Sequence, residues 1–329
     1  MALSVTQIVE LIENDGYPAM FETYDRVPPV YQNFGEVINP ADAGMPLYGD
    51  RGTVFMGVED FRKREDGAEF DDSTMDKAFN WQCNIDQWAR AITIPSRVRE
   101  ANDLQRARAS IVRAANGWGE KAILHKEDHI AGMFQKGTLT AGSTRYFDNS
   151  FPDNADPNPG VIYDGQPWFD EAHPLAGSSS TFSNHLPTTT LGIDGVQDGL
   201  TKMESDNAVD ERGDRIMIMP THLVVPMGLR FQAQRIINSE LIPGSQNNDI
   251  NPIRGRLEVL PWRALRDATS AAAWWIIQER RGMRIYDSGA PRIVAKEKEN
   301  GDIVVQAEFY FGACIDNARY ALCGNKAAS

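Results

Sequence analysis

Cysteine is scarce in this chain of 329 residues: Cys83, Cys314 and Cys323 are all there is. The number is odd and no pair has CxxC spacing, which argues against a disulfide framework and a zinc ribbon. Positive charge is also short, with 33 Lys and Arg against 46 Asp and Glu, a net charge of -13. Arg62-Lys63-Arg64 is the one basic cluster, and acids surround it. Sequence-specific reading of DNA or RNA normally needs more. Apolar runs such as Ala271 to Ile277 fall far below the ~20 residues of a membrane span. The first basic residue is Arg26 and no apolar stretch of signal-peptide type follows Met1, so the chain reads as a cytosolic, reduced protein. Phosphate-binding loops, GxGxxG and GxSxG patterns are missing too.

What is present is an ordinary globular composition, 42% hydrophobic and 24% charged, which excludes a disordered chain. The length suggests about two domains. Ser4 to Glu13 reads as a short amphipathic helix with Val5, Ile8, Val9 and Ile12 on one face, capped by Ser4 with Gln7 and stopped at Asn14-Asp15-Gly16. Tyr17 to Asp50, with its prolines and glycines, reads as a long extended arm. Glu59 to Asp76 carries eight carboxylates and three bases, Arg62, Lys63 and Arg64, with a turn expected at Asp66-Gly67. Alternation over Lys77 to Ile94 predicts strands.

The longest helical pattern runs from an Asn102 cap to Lys136, with Gly117 and Gly119 as a candidate kink. Thr190 to Met203 and the stretch after Pro226 predict two further helices. Leu257 to Leu260 and Ala271 to Ile277 predict buried strands. Arg292 to Lys298 and Ile303 to Phe311 alternate about Asn300-Gly301, the signature of a tight hairpin, with a third strand expected by Leu322. The sum is a helix-dominated piece and an α/β piece.

Few residues offer catalytic chemistry. His125 and His129 share one helix face at i and i+4 spacing and could hold a metal, as a metal-dependent hydrolase would require. Lys126 stands where a metalloprotease has Glu, no third ligand is evident, and a charged helix face is the simpler reading. His173, after a turn-rich segment, reads as a structural hydrogen-bonder. Asp153 to Asp156 and Asp206 to Asp210 lack the spacing of a calcium loop. Trp274-Trp275 reads as one core ring and one interface ring. No catalytic, cofactor or metal residue is therefore assigned.

Three segments together carry a resemblance. They are Tyr163-Asp-Gly-Gln-Pro-Trp-Phe169 with His173-Pro174, His222-Leu-Val-Val-Pro226 leading to Ile236-Ile-Asn-Ser-Glu-Leu241, and Pro243 to Pro252 with Arg254-Gly-Arg-Leu-Glu-Val259. The chain resembles the major head subunits of Mu-type tailed phages and prophages, major capsid proteins with the Hong Kong 97-type (HK-97-like) fold. The resemblance implies an α+β subunit with five parts: an N-terminal arm (1–44), a projecting E-loop (45–78), a peripheral domain (79–189) with spine helix 102–136, an axial domain (190–284) and a return to the peripheral sheet (285–329). It implies a structural, non-enzymatic protein without cofactors. Copies would assemble into hexamers and pentamers of an icosahedral shell around double-stranded DNA, without sequence-specific grip and without a membrane. Portal, scaffolding and decoration proteins would be its further partners. Its place would be the virion capsid, after assembly in the host bacterial cytoplasm. An encapsulin-like nanocompartment shell is the alternative within the same fold. Neighbour contacts are expected from the Val5, Ile8 and Ile12 face and from Arg62, Lys63 and Arg64.

Overall fold

The structure, a computed structural model, describes residues 4–26, 28–58, 63, 75–101, 103–139, 145–151, 159–242 and 249–327. Helices α1 (Val5–Leu11) and α2 (Tyr17–Tyr24) open the chain. The Ser4–Gln7 capping box forms as its residue types predict. Asn14-Asp15-Gly16 does not stop the helix. Ile12–Gly16 continues as a π-helical turn into α2, where Pro18 occupies the first turn, which its missing N–H tolerates. The expected extended arm therefore begins only after Tyr24. Strands β1 (Glu36–Ile38), β2 (Gly49–Phe55), β3 (Lys77–Asn84) and β4 (Asp86–Ile94) follow, then a short helix α3 (Ser96–Glu100).

The spine helix α4 spans Leu104–Lys136, 33 residues, or about 50 Å at 1.5 Å per residue. Its cap is Asp103, whose carboxylate accepts from Arg106 N at 3.0 Å. Asn102 lies outside the described residues. The helix runs unbroken through Gly117 and Gly119. Gly119 serves packing: a Cβ there would stand 2.3 Å from Thr23 Oγ1 and 2.4 Å from the Met20 carbonyl oxygen, so glycine lets α2 cross close to the spine.

Beyond α4 come three two-residue strands: β5 (His173–Pro174), β6 (Thr181–Phe182) and β7 (His185–Leu186). Helix α5 (Ile193–Thr201), β8 (His222–Pro226), α6 (Arg230–Asn238) and β9 (Glu258–Trp262) come next. The chain closes with β10 (Trp274–Ile277), β11 (Met283–Asp287), β12 (Arg292–Glu297), β13 (Ile303–Ile315) and β14 (Ala321–Gly324). The Tyr163 to Phe169 segment makes a turn, with Ile162 N to Gln166 O at 2.8 Å and Gly165 at φ +80°, but no strands.

Two five-stranded sheets organise the described residues. In the first, β13 is the axle. It pairs antiparallel with β4 along one edge and with β12 and then β11 along the other, and β1 adds parallel to β11. The hairpin turn forms at Asn300-Gly301, with Gly301 at φ +79°. The second sheet runs β7-β14-β10-β8-β9. The expected third strand of the hairpin exists as β14, but it leaves the first sheet and pairs with β10 in the second.

Alternation on the short buried strands explains the layering. On β10, Trp274 and Ile276 face α5 and α6, whereas Trp275 and Ile277 face the C-terminal half of α4. Both tryptophans are completely buried, which corrects the expectation of one interface ring. A strand covered on both faces needs no polar side at all. The first sheet lays Phe309, Phe311, Ala313 and Ile315 against α4 and its surroundings. Its opposite face, at Cys314 and Tyr286, meets Trp81, Cys83 and Ile85 at the root of the β2–β3 hairpin.

Candidate assembly surfaces

The N-terminal helices are a built part of this subunit. Ile8, Ile12 and Met20 pack with Ala107, Ile111 and Ala115 of α4 and with Ile293, Ile303 and Val305 of the first sheet, and Val5 packs against the same cluster. Ile8 is 0% exposed and Ile12 3%. The face expected to meet a neighbour is thus occupied by the chain's own spine. The helix periodicity identified the apolar stripe correctly, but periodicity alone names no partner. The outward face carries Val9 and Phe21, 37% and 45% exposed, with Tyr17 stacked on Phe21 at 6.1 Å.

A buried polar latch holds the segment that follows. Lys126 Nζ donates to Asp287 Oδ1 at 2.5 Å, to the Gly289 carbonyl oxygen at 2.7 Å and to Tyr24 Oη at 2.9 Å. Tyr31 Oη donates to the other Asp287 oxygen at 2.5 Å. Glu127 accepts from Val30 N at 2.5 Å, from Tyr31 N and from Trp262 Nε1. Burial pushes the Lys126 ammonium below its usual pKa, an effect Asp287 opposes, and pushes the Glu127 carboxyl up. Spine, arm, first sheet and second sheet meet in this one network. The sequence carried a trace of it: Lys126 and Glu127 continue the stripe of Ala122, Ile123 and Ile130, where only buried positions fall.

His125 and His129 sit among rings. His125 lies 4.1 Å from the Trp88 ring, and His129 contacts Phe311 and Tyr146 at 5.5 and 5.7 Å. Burial holds His129 neutral, with a pKa of about 3, and lowers His125 as well. Among the described residues no group of three His, Cys, Asp or Glu is placed to hold a metal. His173 is the structural bonder expected: Nδ1 meets Asp164 Oδ2 at 2.6 Å and Nε2 meets Asn184 Oδ1 at 3.0 Å.

The β2–β3 hairpin projects from the outer face of the first sheet. Its root is mounted by a hydrogen bond from Tyr286 Oη to Asp50 and by the Arg284 guanidinium, 4.8 Å from the Trp81 ring. Beyond the root, Phe55, Val58 and Met75 are 48%, 61% and 59% exposed. Of the expected contact residues, Lys63 is exposed, and Arg62 and Arg64 lie outside the described residues. Elsewhere Phe231, on α6, and Met217, in the segment before β8, are 72% and 79% exposed. Among the described residues no helix is long and apolar enough to cross a membrane.

Comparison with known proteins accords with this layout. Residues 186–265 match the family of the Mu-like prophage major head subunit gpT. No curated protein matches the chain. Among solved structures, the chain is similar to that of Mycobacterium phage Patience, at 10% identity and a TM-score of 0.55, over 97% of this chain and 88% of that one. It is also similar to the capsid of an empty GTA particle, at 12% identity and a TM-score of 0.51, over 92% of each chain. The capsid of cyanophage P-SCSP1u matches at 9% identity and a TM-score of 0.50, over 92% and 90%. At such identities these likenesses establish the fold, and the family match covers the segment that carries α5, α6, β8 and β9. Over residues 186–265 the chain is similar to the Mu-like head-subunit family, and over nearly its whole length it has the fold of these phage capsid chains, the Hong Kong 97-type fold.

Proposed function

We propose that this subunit is the tile of a closed icosahedral head: copies form hexamers and pentamers, and the shell encloses double-stranded DNA without reading its sequence. The carrying observation is the exposed apolar side chains on separate parts of one subunit, Phe55, Val58 and Met75 on the hairpin and Phe231 on α6. Two different surfaces on one chain favour heterologous, head-to-tail contacts, which close into rings and let rings join. Many weak contacts acting together then suffice. The net charge of -13 suits a wall that contains DNA without gripping it.

In this reading residues 1–44 are the arm, 45–78 the E-loop, 79–189 with 285–329 the peripheral domain, and 190–284 the axial domain. Arg62, Lys63 and Arg64 contact a neighbour. Portal, scaffolding and decoration proteins are the further partners, and assembly takes place in the host cytoplasm before the virion is released. Negative-stain microscopy and sedimentation of the expressed chain test the proposal. Closed particles, lost when Arg62, Lys63 and Arg64 are all changed to Glu, are the expected result. A chain that stays monomeric under every assembly condition tried overturns it.

A further inference from the structure

Cys83 and Cys314 have no part in the surfaces described above. The β4–β13 ladder ends at the pair Asp86 and Phe311. Past that end the chain crosses over the face of β13 that carries Cys314. The strands stay close beyond the ladder's end. At Gly312 a Cβ would stand 2.1 Å from the Asn84 carbonyl oxygen and 3.1 Å from Ile85 Cα, so only glycine lets β13 pass this corner. Both thiols enter one small core, with Trp81, Ile85 and Tyr286, where Cys83 is 0% and Cys314 3% exposed. Burial, with Cys83 beside it, pushes the Cys314 thiol well above its usual pKa. Cys323 lies apart, in the core between α4 and the second sheet.

We propose that Cys83 and Cys314 form a redox staple, closed by a small peroxide, which ties the root of the β2–β3 hairpin to the central strand β13. Both side chains lie in one core cluster, the close approach that a disulfide needs. In the first step one cysteine sulfur, giving up its thiol proton as it reacts, attacks a peroxide oxygen. The O–O bond breaks, a sulfenic acid forms, and the departing hydroxide takes the thiol proton as water. In the second step the other sulfur attacks the sulfenic sulfur. The S–S bond forms, the S–O bond breaks, and hydroxide leaves with the second thiol proton as water. Two thiols and one peroxide become one disulfide and two waters; sulfur is oxidised and the peroxide reduced. Burial holds the Cys314 thiol protonated, so the pair rests reduced until an oxidant small enough to enter the core arrives.

The test exposes the purified full-length chain to graded hydrogen peroxide, traps free thiols by alkylation and maps the digest by non-reducing mass spectrometry. The expected product is a peptide linked through Cys83 and Cys314, reversed by dithiothreitol and still formed in Cys323→Ser. Amide exchange over 77–84 should slow in the linked form. Peroxide that leaves both thiols alkylatable in the folded chain, drives either one separately to sulfinic acid, or links either one to Cys323 overturns the proposal. The wild-type map and Cys323→Ser decide the matter even where Cys83→Ser or Cys314→Ser fails to fold.

Discussion

Lys126 and Glu127 are neighbours in the chain, yet each anchors a different strap. Lys126 reaches Asp287 and Gly289 beside β11, and Glu127 reaches the backbone at Val30 and Tyr31. Removing one partner of a buried ion pair leaves the other charge without compensation, which typically costs about 3–5 kcal/mol. Lys126→Met should lower the urea-unfolding free energy by about that amount, and combining it with Asp287→Leu should recover part of the loss. His129 gives a second prediction at this scale. The unfolded chain protonates it near its ordinary pKa of roughly 6.5, whereas the folded chain keeps it neutral down to about 3. Between those values the unfolded state binds more protons, so stability falls as pH falls, by at most about 1.4 kcal/mol per pH unit. Urea titrations from pH 7 to pH 4 should show that fall, and His129→Phe should make it shallower. His125 and His185, also lowered by burial, act with the same sign, and the raised carboxyls of Glu127 and Asp316 act against it.

Among the elements, the spine helix carries the sharpest contrast. Gly117 has nothing within 4 Å of where a Cβ would stand, whereas at Gly119 the Met20 carbonyl oxygen would be 2.4 Å away. Gly117→Ala should therefore raise stability by about 0.5–1 kcal/mol through helix propensity alone. Gly119→Ala should lower it by about 1–3 kcal/mol, because α2 has to be pushed off the spine. Thermal unfolding of the two variants, one residue type changed at two sites two residues apart, separates propensity from packing. The π-helical turn at Ile12–Gly16 belongs to the same crossing. It keeps Ile12 and Gly16 on the spine, where a Cβ at Gly16 would lie 3.2 Å from Ile111 Cγ2.

For the molecule as a whole, the folded-back N-terminus changes what a truncation reports. Deleting residues 1–16 removes Ile8 and Ile12 from a core, and losing a buried Ile costs about 2–5 kcal/mol each time. The truncated subunit should melt at a lower temperature by calorimetry, before any assay of assembly. A clean probe of assembly uses a side chain the subunit leaves in solvent. Phe231→Asp should change unfolding free energy by no more than about 0.5 kcal/mol, because Phe231 is 72% exposed, while closed particles are lost in negative stain.

The amino-acid pattern alone determined the local elements whose signals are periodic or stereochemical. These were the capping box at Ser4 and Gln7, the apolar stripe of the spine, the alternation of β13 and the tight turn at Asn300-Gly301. It determined also that His173 is a structural bonder, and motifs in the central segment carried the resemblance to Mu-type heads. Only the tertiary structure decided what each apolar face packs against. Ile8 and Ile12 look alike whether they cover a neighbour or the chain's own spine, since periodicity encodes a direction and no distance along the chain. The same holds for β14, whose residues suit either sheet, and for Trp275, whose burial depends on a helix more than 130 residues away in sequence. The Lys126–Asp287 latch and the Cys83–Cys314 proximity arise from helix crossing and the packing of β3 on a sheet face, which belong to the assembled fold and to no single segment of it.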